Sequence, residues 1–585
     1  MLKFFVGVIV GAILVIVIGV VCLVALASLR SRPPSVAAGS TLVLHLNGEI
    51  SERAPLELPF ALGQRTPLTI EQTWSLLRKA ASDKRIKAVV VEPMGAQIGW
   101  AKMQELRLEL ARFRQSGKPL YAYLKTPSTR DYYIATAASK IYLAPEDLLD
   151  MKGLRLELMY FKRTLDKLGV TVYVDHDGKY KDYGDMFTRT SLSPESREVY
   201  TSIIDLLYAD LIKTVGVSRK RSAMEVQAAI DSGPLLSDQV LARGLVDGLC
   251  YEDEMYGKLK KELKDDVRKI GEREYLRVPE SDAGINGKVR FAYVAAEGAI
   301  TRGDPSSGGG YNSEGIESES FIKVLDRVAN SSSYKGVIVR IDSPGGEVFA
   351  SDAIWRAMNE LARKKPVVIS MSDAAASGGY YIAMNGTPIV AYPGTLTGSI
   401  GVVFGKPNLR GLYDKLGIDK DMLSRGRFAE IDSDYKPMDD AERTKLKEGI
   451  DQNYRDFVKK VADSRKRPVN QIEPIAQGRV WLGEQARENG LVDELGGLDR
   501  AIDVLKRKAS IPATDTVSLS IYPPSRSFFD LILSSPPDAS VEERVAYAFG
   551  LHRQSSLPKL LRDSSLRVWL QGGFLSLTPV EFSIH

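Results

Sequence analysis

Two runs of mostly β-branched residues, Ile86-Lys-Ala-Val-Val-Val91 and Tyr334-Lys-Gly-Val-Ile-Val339, stand 248 positions apart in a chain of 585 residues. Each follows a helical pattern and is nearly continuous in apolar side chains, as expected of a strand buried on both faces of a parallel sheet. The correspondence extends outward from them. Upstream, Thr41–Leu46 matches Val289–Val294, and both are followed by Gly-x-Ile (Gly48 and Ile50, Gly298 and Ile300) at an offset of 250. Downstream, Pro119–Tyr123 matches Pro366–Met371, each preceded by a helical stretch that ends in basic residues. The two copies close on Ala242-Arg-Gly-Leu-Val-Asp247 and Glu488-Asn-Gly-Leu-Val-Asp493, at an offset of 246. An offset held this steady over some two hundred residues marks a duplicated domain, with a period far too long for a solenoid. Alternating β and α segments predict an α/β fold with parallel strands and crossover helices.

The bulk numbers agree with this reading. A chain of 585 residues is too long for a single core. Its 44% hydrophobic and 26% charged residues are ordinary for a globular protein. A net charge of +5, spread along the chain, gives no argument for a nucleic-acid partner. Two cysteines (Cys22, Cys250) and four histidines (His45, His176, His552, His585) form no disulfide framework, metal-ligand spacing or triad pattern. No metal or cofactor is expected, and a serine hydrolase built on this chain needs a base other than histidine.

Residues 4–29, FFVGVIVGAILVIVIGVVCLVALASL, carry no charge over 26 positions. At about 1.5 Å per residue this is long enough to span a hydrocarbon core of roughly 30 Å. Ala25-Leu26-Ala27 resembles a signal-peptide cleavage site, but the apolar run exceeds the usual h-region, so a retained anchor over residues 1–30 is expected. The flanking charges do not set its orientation. Residues 30–40 and 271–287 read as linkers, residues 303–310 as a flexible loop, and residues 512–585 as an extension of unassigned role. That extension holds two Pro-Pro pairs and an amphipathic stretch at 541–551.

The copies differ where chemistry is concentrated. Copy two reads Asp373-Ala-Ala-Ala-Ser377-Gly378-Gly379-Tyr380-Tyr381-Ile382-Ala383, whereas copy one has Thr129-Arg130-Asp131-Tyr132-Tyr133-Ile134-Ala135, so that Ser377 answers to Thr129. Small residues around a serine between strand and helix permit a sharp turn and a close substrate, and the helix start offers backbone N–H groups to a carbonyl oxygen. A serine in that position is equally an ordinary helix N-cap. The loop after Val339, Ile341-Asp342-Ser343-Pro344-Gly345-Gly346, can likewise present N–H donors, and copy one has Pro93-Met94-Gly95-Ala96-Gln97 there. Conversely Gly178-Lys179-Tyr180-Lys181 in copy one answers to Gly426-Arg427-Phe428-Ala429 in copy two. Lys179 faces a position that is still basic, but Lys181 faces alanine. A lysine can act as base when burial removes its charge, which makes Lys181 the candidate. Serine in one copy and lysine in the other point to one site built from both.

Ser343-Pro-Gly-Gly346, Ala376-Ser-Gly-Gly-Tyr380, Thr395-Leu-Thr-Gly-Ser-Ile-Gly401 and Tyr180-Lys181 together resemble the signal peptide peptidase A family in its long, duplicated form. This is peptidase family S49 of the crotonase-like (ClpP) superfamily, and the resemblance covers roughly residues 40–510. It implies tandem crotonase-like domains after a transmembrane helix: an anchor at 1–30, a lysine-bearing repeat at 40–270, a serine-bearing repeat at 285–511 and an extension at 512–585. It further implies Ser377 as nucleophile, Lys181 as general base, an oxyanion hole from Gly346 and Gly378, and Ser399 as the residue that orients the lysine. It also implies a membrane-anchored serine endopeptidase that degrades cleaved signal peptides. Such an enzyme is a homotetramer on the inner membrane, single-pass, with its catalytic domain on the extracytosolic, periplasmic side. One position departs: Lys181 is followed by Asp182 where the family usually has serine. A carboxylate there would hold a proton on the lysine if the two side chains met. Two other readings share the fold, a crotonase-type enzyme acting on acyl-CoA and a non-enzymatic membrane scaffold. Whether serine and lysine meet within one chain or between chains is open at this stage.

Overall fold

The computed structural model describes residues 33–54, 67–303, 315–524 and 574–577, together with Gly11. The expected membrane anchor, the loop beyond Gly303 and the amphipathic stretch at 541–551 lie outside the described residues. Among the described residues no helix is long and apolar enough to cross a membrane.

The β-branched runs form the central strands of two parallel sheets, with side chains buried on both faces, as their continuous apolar pattern requires. In copy one the sheet runs Gly248–Leu249, Lys140–Leu143, Leu120–Leu124, Ile86–Gln97, Ser40–Glu49, Arg268–Gly271. In copy two the order is Glu494–Leu495, Ile389–Ala391, Val367–Ala376, Val337–Ser343, Val289–Glu297, Val517–Tyr522. The two orders correspond strand for strand, and every neighbouring pair in them is parallel. Helices correspond as well: Ile70–Ser82 with Ser318–Asn330, Trp100–Arg114 with Val348–Lys364, and Pro194–Arg219 with Asp440–Arg465. Leu396–Gly398 and Val480–Leu482, antiparallel to each other beside the far end of Val367–Ala376, answer to the antiparallel pair Leu148–Leu149 and Leu235–Leu236 in copy one.

Two stretches behave differently from their reading in the sequence. Val517–Tyr522 lies past residue 511 and pairs with Val289–Glu297 as Arg268–Gly271 pairs with Ser40–Glu49, so the second sheet takes its last strand from the extension. Its alternating Val-Ser-Leu-Ser-Ile has no sequence likeness to Arg-Lys-Ile-Gly. The polar stretch at 271–287 holds the helix Glu272–Leu276 and buries Tyr275, Val278 and Ala283, so it packs rather than merely links.

The copies are joined by charge and by strand. Arg340 of copy two is buried between Glu52 and Glu105 of copy one, and Ser370 and Ser372 complete its partners. Removing one member of such a set leaves a buried charge unpaired, at about 3–5 kcal/mol. Thr171–Asp177 of copy one pairs antiparallel with Val402–Asn408 of copy two, from Thr171 opposite Asn408 to Asp177 opposite Val402. That pairing carries the following segment of copy one into the second copy.

Candidate active site

Ser377 ends the buried strand Val367–Ala376 and precedes the helix Gly378–Ala383. Its backbone is strained, with φ at +54° and ψ at −116°, a region where a side chain costs on the order of 1–3 kcal/mol. The conformation is held from both sides. The Ser377 N–H donates to the Gly398 carbonyl at 2.8 Å, and the Tyr381 N–H donates to the Ser377 carbonyl at 2.8 Å. Strain at a serine between strand and helix projects its hydroxyl out of the turn.

Lys181 reaches this hydroxyl from copy one of the same chain. Its Nζ lies 2.6 Å from Ser377 Oγ, 3.0 Å from Ser399 Oγ and 3.1 Å from the Ser399 carbonyl oxygen. Serine and lysine therefore meet within one chain. Lys181, Ser377 and Ser399 are all buried. Ser399 is itself in the left-handed region, at φ +50°, and its N–H donates to the Arg479 carbonyl at 2.7 Å. Burial pulls the Lys181 pKa down to about 7, and the negative charge of Asp182 works against that fall. A lysine at about 7 is substantially neutral near neutral pH and can accept a proton.

Asp182 does not fold back onto the lysine. Its carboxylate accepts from Ser196 Oγ at 2.5 Å and Tyr200 Oη at 2.9 Å, both on the helix Pro194–Arg219. Burial raises its pKa to about 6, while those two donors pull the other way. The departure seen in the sequence thus becomes an anchor for the lysine loop. The stem of Lys181 has its own fitted space: a Cβ on Gly478 would stand 2.6 Å from Lys181 Cβ, and one on Gly401 would stand 3.2 Å from Lys181 Cδ.

The glycines of both loops are packed so closely that side chains are excluded. A Cβ on Gly346 would fall 2.1 Å from the Ile300 carbonyl oxygen, and one on Gly379 would fall 2.6 Å from that of Ser343. A Cβ on Gly378 would lie 3.0 Å from the Gly346 nitrogen, so the Gly346 loop and the start of the helix at Gly378 are adjacent. Ser343 Oγ donates to the Gly298 carbonyl at 2.7 Å and accepts from the Gly345 N–H at 3.2 Å, which fixes the loop. A loop backbone and a helix start next to a serine hydroxyl can offer N–H groups to a developing oxyanion. An extended segment, Phe574–Leu577, pairs antiparallel with Gly345–Glu347, with Ser576 opposite Gly346, and its other edge meets Val403 and Phe404. Leu575 of that segment is buried with Tyr183, Phe187, Ala299 and Val403.

A third set of residues went unnoticed in the sequence. Lys102 of copy one lies 2.7 Å from Asp342 Oδ2 and 3.9 Å from Asp373 Oδ2. Asp373 also accepts from the N–H groups of Gly99 and Lys102, at the start of the helix Trp100–Arg114. Asp342 accepts from the Ala374 N–H at 2.9 Å. Each carboxylate stands four residues before a site residue, Asp342 before Gly346 and Asp373 before Ser377. Burial opposes the charge on Lys102, but Asp342, Asp373, Glu52 and Glu297 outweigh it and raise its pKa. Burial raises the Asp373 pKa to about 6. One helix start in copy one therefore holds both loops of copy two. At the offset of 248, Lys102 answers to Ala350, Asp342 to Met94 and Asp373 to Lys125. The same complementary loss that marked Ser377 and Lys181 would have found them.

Comparison with known proteins gives the same answer. The family model of peptidase family S49 matches twice, at residues 112–266 and 359–512, and the Clp protease model matches residues 313–395. The chain is 35% identical over 506 residues to the chloroplastic serine protease SPPA of Arabidopsis thaliana, covering 85% of this chain and 73% of that one. It is 33% identical over 477 residues to Protease 4 of Salmonella typhi, covering 78% and 74%. A solved mutant of ClpP1 from Listeria monocytogenes overlaps 36% of this chain and 94% of its own, at 16% identity and a TM-score of 0.24. The duplicated match leaves the acyl-CoA and scaffold readings without support, and the chain belongs to peptidase family S49 as a serine protease.

Proposed function

We propose that Ser377 and Lys181 are the catalytic dyad of this protease. The carrying observation is the 2.6 Å contact between Lys181 Nζ and Ser377 Oγ, made by a buried lysine whose pKa lies at about 7. Neutral Lys181 takes the proton of Ser377 as its oxygen attacks the peptide carbonyl. The N–H groups of Gly346 and Gly378 hold the oxyanion, and Lys181 then gives its proton to the leaving amine. Water, activated by the same lysine, hydrolyses the acyl-enzyme and restores the serine. Ser399, in contact with the ammonium through both its hydroxyl and its carbonyl, keeps the lysine aimed at Ser377.

The substrate is a peptide bound in extended form with an apolar side chain near the scissile bond. The pairing of Phe574–Leu577 with the Gly345–Glu347 strand, and the apolar surroundings of Leu575, support that reading: an incoming peptide would add to the same edge. Remnant signal peptides have this chemistry and are the proposed natural substrate. The proposed organisation is an anchor at 1–30, the lysine-bearing repeat at 40–270, the serine-bearing repeat at 285–511 and the extension at 512–585. The uncharged run at 4–29 supports a single membrane pass, and the likeness to the S49 family supports placing it in the inner membrane with the catalytic domains on the extracytosolic side. The proposed assembly is a homotetramer.

A serine-directed acylating probe tests the dyad. It should label the intact protein, and labelling should disappear in Ser377→Ala and in Lys181→Ala. Undiminished labelling of either variant contradicts the assignment.

A further inference from the structure

Lys181 and Ser399 sit on loops of different copies, and a short turn of copy two stands between those loops. Residues 476–479 form the turn. It is closed by the Arg479 N–H, which donates to the Ala476 carbonyl at 2.9 Å, and Gln477 and Gly478 are both left-handed, at φ +51° and +73°. On one side the turn holds the lysine loop, since the Tyr180 N–H donates to the Gln477 carbonyl at 2.9 Å. On the other it holds the serine loop. The Ser399 N–H donates to the Arg479 carbonyl and the Gly478 N–H to the Ile400 carbonyl, each at 2.7 Å.

The side chain of Arg479 leads from this turn to the helix Pro194–Arg219. Its guanidinium pairs with Glu198 and stands 4.9 Å from the ring centre of Tyr180 and 4.5 Å from that of Trp481, close enough for a cation to be drawn to an aromatic face. The Tyr180 hydroxyl reaches the same carboxylate, 3.3 Å from both of its oxygens. Glu198 lies between Ser196 and Tyr200, the two residues of that helix that anchor Asp182. The contacts therefore close on themselves. They run from Lys181 through Tyr180 and Glu198 to Arg479, and from Arg479 through Ser399 back to Lys181. The copies differ in kind at each of these side chains: Tyr180 answers to Phe428 at the offset of 248, and Glu198 to Thr444 and Arg479 to Gly233 at the offset of 246. Gly233 has no room for a side chain, because a Cβ there would fall 2.0 Å from the Met151 carbonyl oxygen. The difference is complementary, as it is at Ser377 and Lys181.

We infer that Arg479 is a positioning residue of the reaction: through Glu198 and Tyr180 it fixes the lysine loop against the loop of Ser399, and so sets the aim of Lys181 at Ser377. It acts through those neighbours and not on the reacting atoms. An ion pair whose carboxylate is 55% exposed adds little to stability, so the effect of Arg479 falls on geometry more than on folding. The 2.6 Å contact between Lys181 and Ser377 leaves little tolerance, since a displacement of about 1 Å at a reacting group can cost on the order of 10²-fold in rate. The inference rests on the reading of Ser377 and Lys181 as the dyad.

The test compares full-length Arg479→Met, Arg479→Lys, Glu198→Gln and the double variant Arg479→Met with Glu198→Gln, beside the intact protein and Lys181→Ala, in cleavage of one apolar peptide. Arg479→Met should lower kcat roughly 10-fold, with KM within about two-fold and thermal unfolding nearly unchanged. Glu198→Gln should show the same pattern at smaller size, and Arg479→Lys should recover part of the loss. The double variant should be no slower than Arg479→Met, because both substitutions break one link. A kcat for Arg479→Met within about two-fold of the intact enzyme, a loss confined to KM, or losses that multiply in the double variant would each overturn the proposal. In those cases an inactive Lys181→Ala leaves the dyad standing. An active Lys181→Ala would remove the dyad and this proposal with it.

Discussion

The loop that follows the central strand exists twice in this molecule, and the two copies hold it in different ways. In copy two a Cβ on Gly378 would lie 3.0 Å from the Gly346 nitrogen and one on Gly379 would fall 2.6 Å from the Ser343 carbonyl oxygen, so the loop packs directly against the start of the helix after Ser377. In copy one the matching loop donates from Gly95 and Ala96, at 3.1 and 3.3 Å, to the carboxylate of Asp131. Asp131 stands 248 positions before Gly379 and also accepts from the N–H and hydroxyl of Ser128. A carboxylate of copy one thus ties the loop to the start of the helix Thr129–Ala135, at positions that answer to Ser343 and Pro344 in copy two. The loop donors of copy one are satisfied by the chain itself, as buried polar groups require. Copy one kept the surfaces that serve copy two, namely the lysine loop and the helix start around Lys102.

The comparison breaks most completely at the dyad. Ser377→Ala and Lys181→Ala should each lower kcat for an apolar peptide by about 10³-fold or more, since removing either member of such a pair disables the unit. Equal loss in both, with unchanged thermal unfolding for Ser377→Ala, is the expected pattern. Next in size is the clamp. Lys102→Met should cost roughly 10- to 100-fold in kcat with little change in KM, because displaced loops misplace reacting atoms. Lys102→Arg, which retains the charge, should recover much of it. A loss confined to KM would contradict a positioning role.

A smaller effect concerns pH. Lys181 must be neutral to act, so kcat/KM should rise with pH through about 7 and level off above it. The Asp182 charge stabilises protonated Lys181, so Asp182→Asn should lower the lysine pKa and move that limb toward lower pH. A limb that moves upward would show that Asp182 acts otherwise. The smallest effect belongs to the loop that Asp131 holds in copy one. Asp131→Ala should leave cleavage within about two-fold of the intact enzyme, while lowering the melting temperature through the unpaired N–H groups of Gly95 and Ala96.

Much of this was legible in the sequence because duplication supplies its own reference. Strands rich in β-branched residues fell at a fixed offset, and Ser377 and Lys181 stood out as the positions where the copies differ in kind. The limits were physical. Lys102, Asp342 and Asp373 are far apart in sequence and meet only once the two copies dock, so no local pattern announces them and only the comparison of the copies at a fixed offset marks them. Val517–Tyr522 takes the place of Arg268–Gly271 by backbone pairing alone, and backbone pairing leaves little trace in side-chain identity. The stretch at 271–287 has the composition of a linker, yet Tyr275 is buried and donates to Asp83.

The claim that one site is built from both copies of a single chain is tested most directly by mixed assembly. Ser377→Ala chains and Lys181→Ala chains, each inactive, should be coassembled in equal amounts and assayed for peptide cleavage and for labelling by the acylating probe. Because the 2.6 Å contact joins Lys181 and Ser377 of the same chain, no chain in the mixture holds both groups, and activity should stay at the level of the separate variants. Restored cleavage would mean that the lysine of one chain serves the serine of another, and would contradict it.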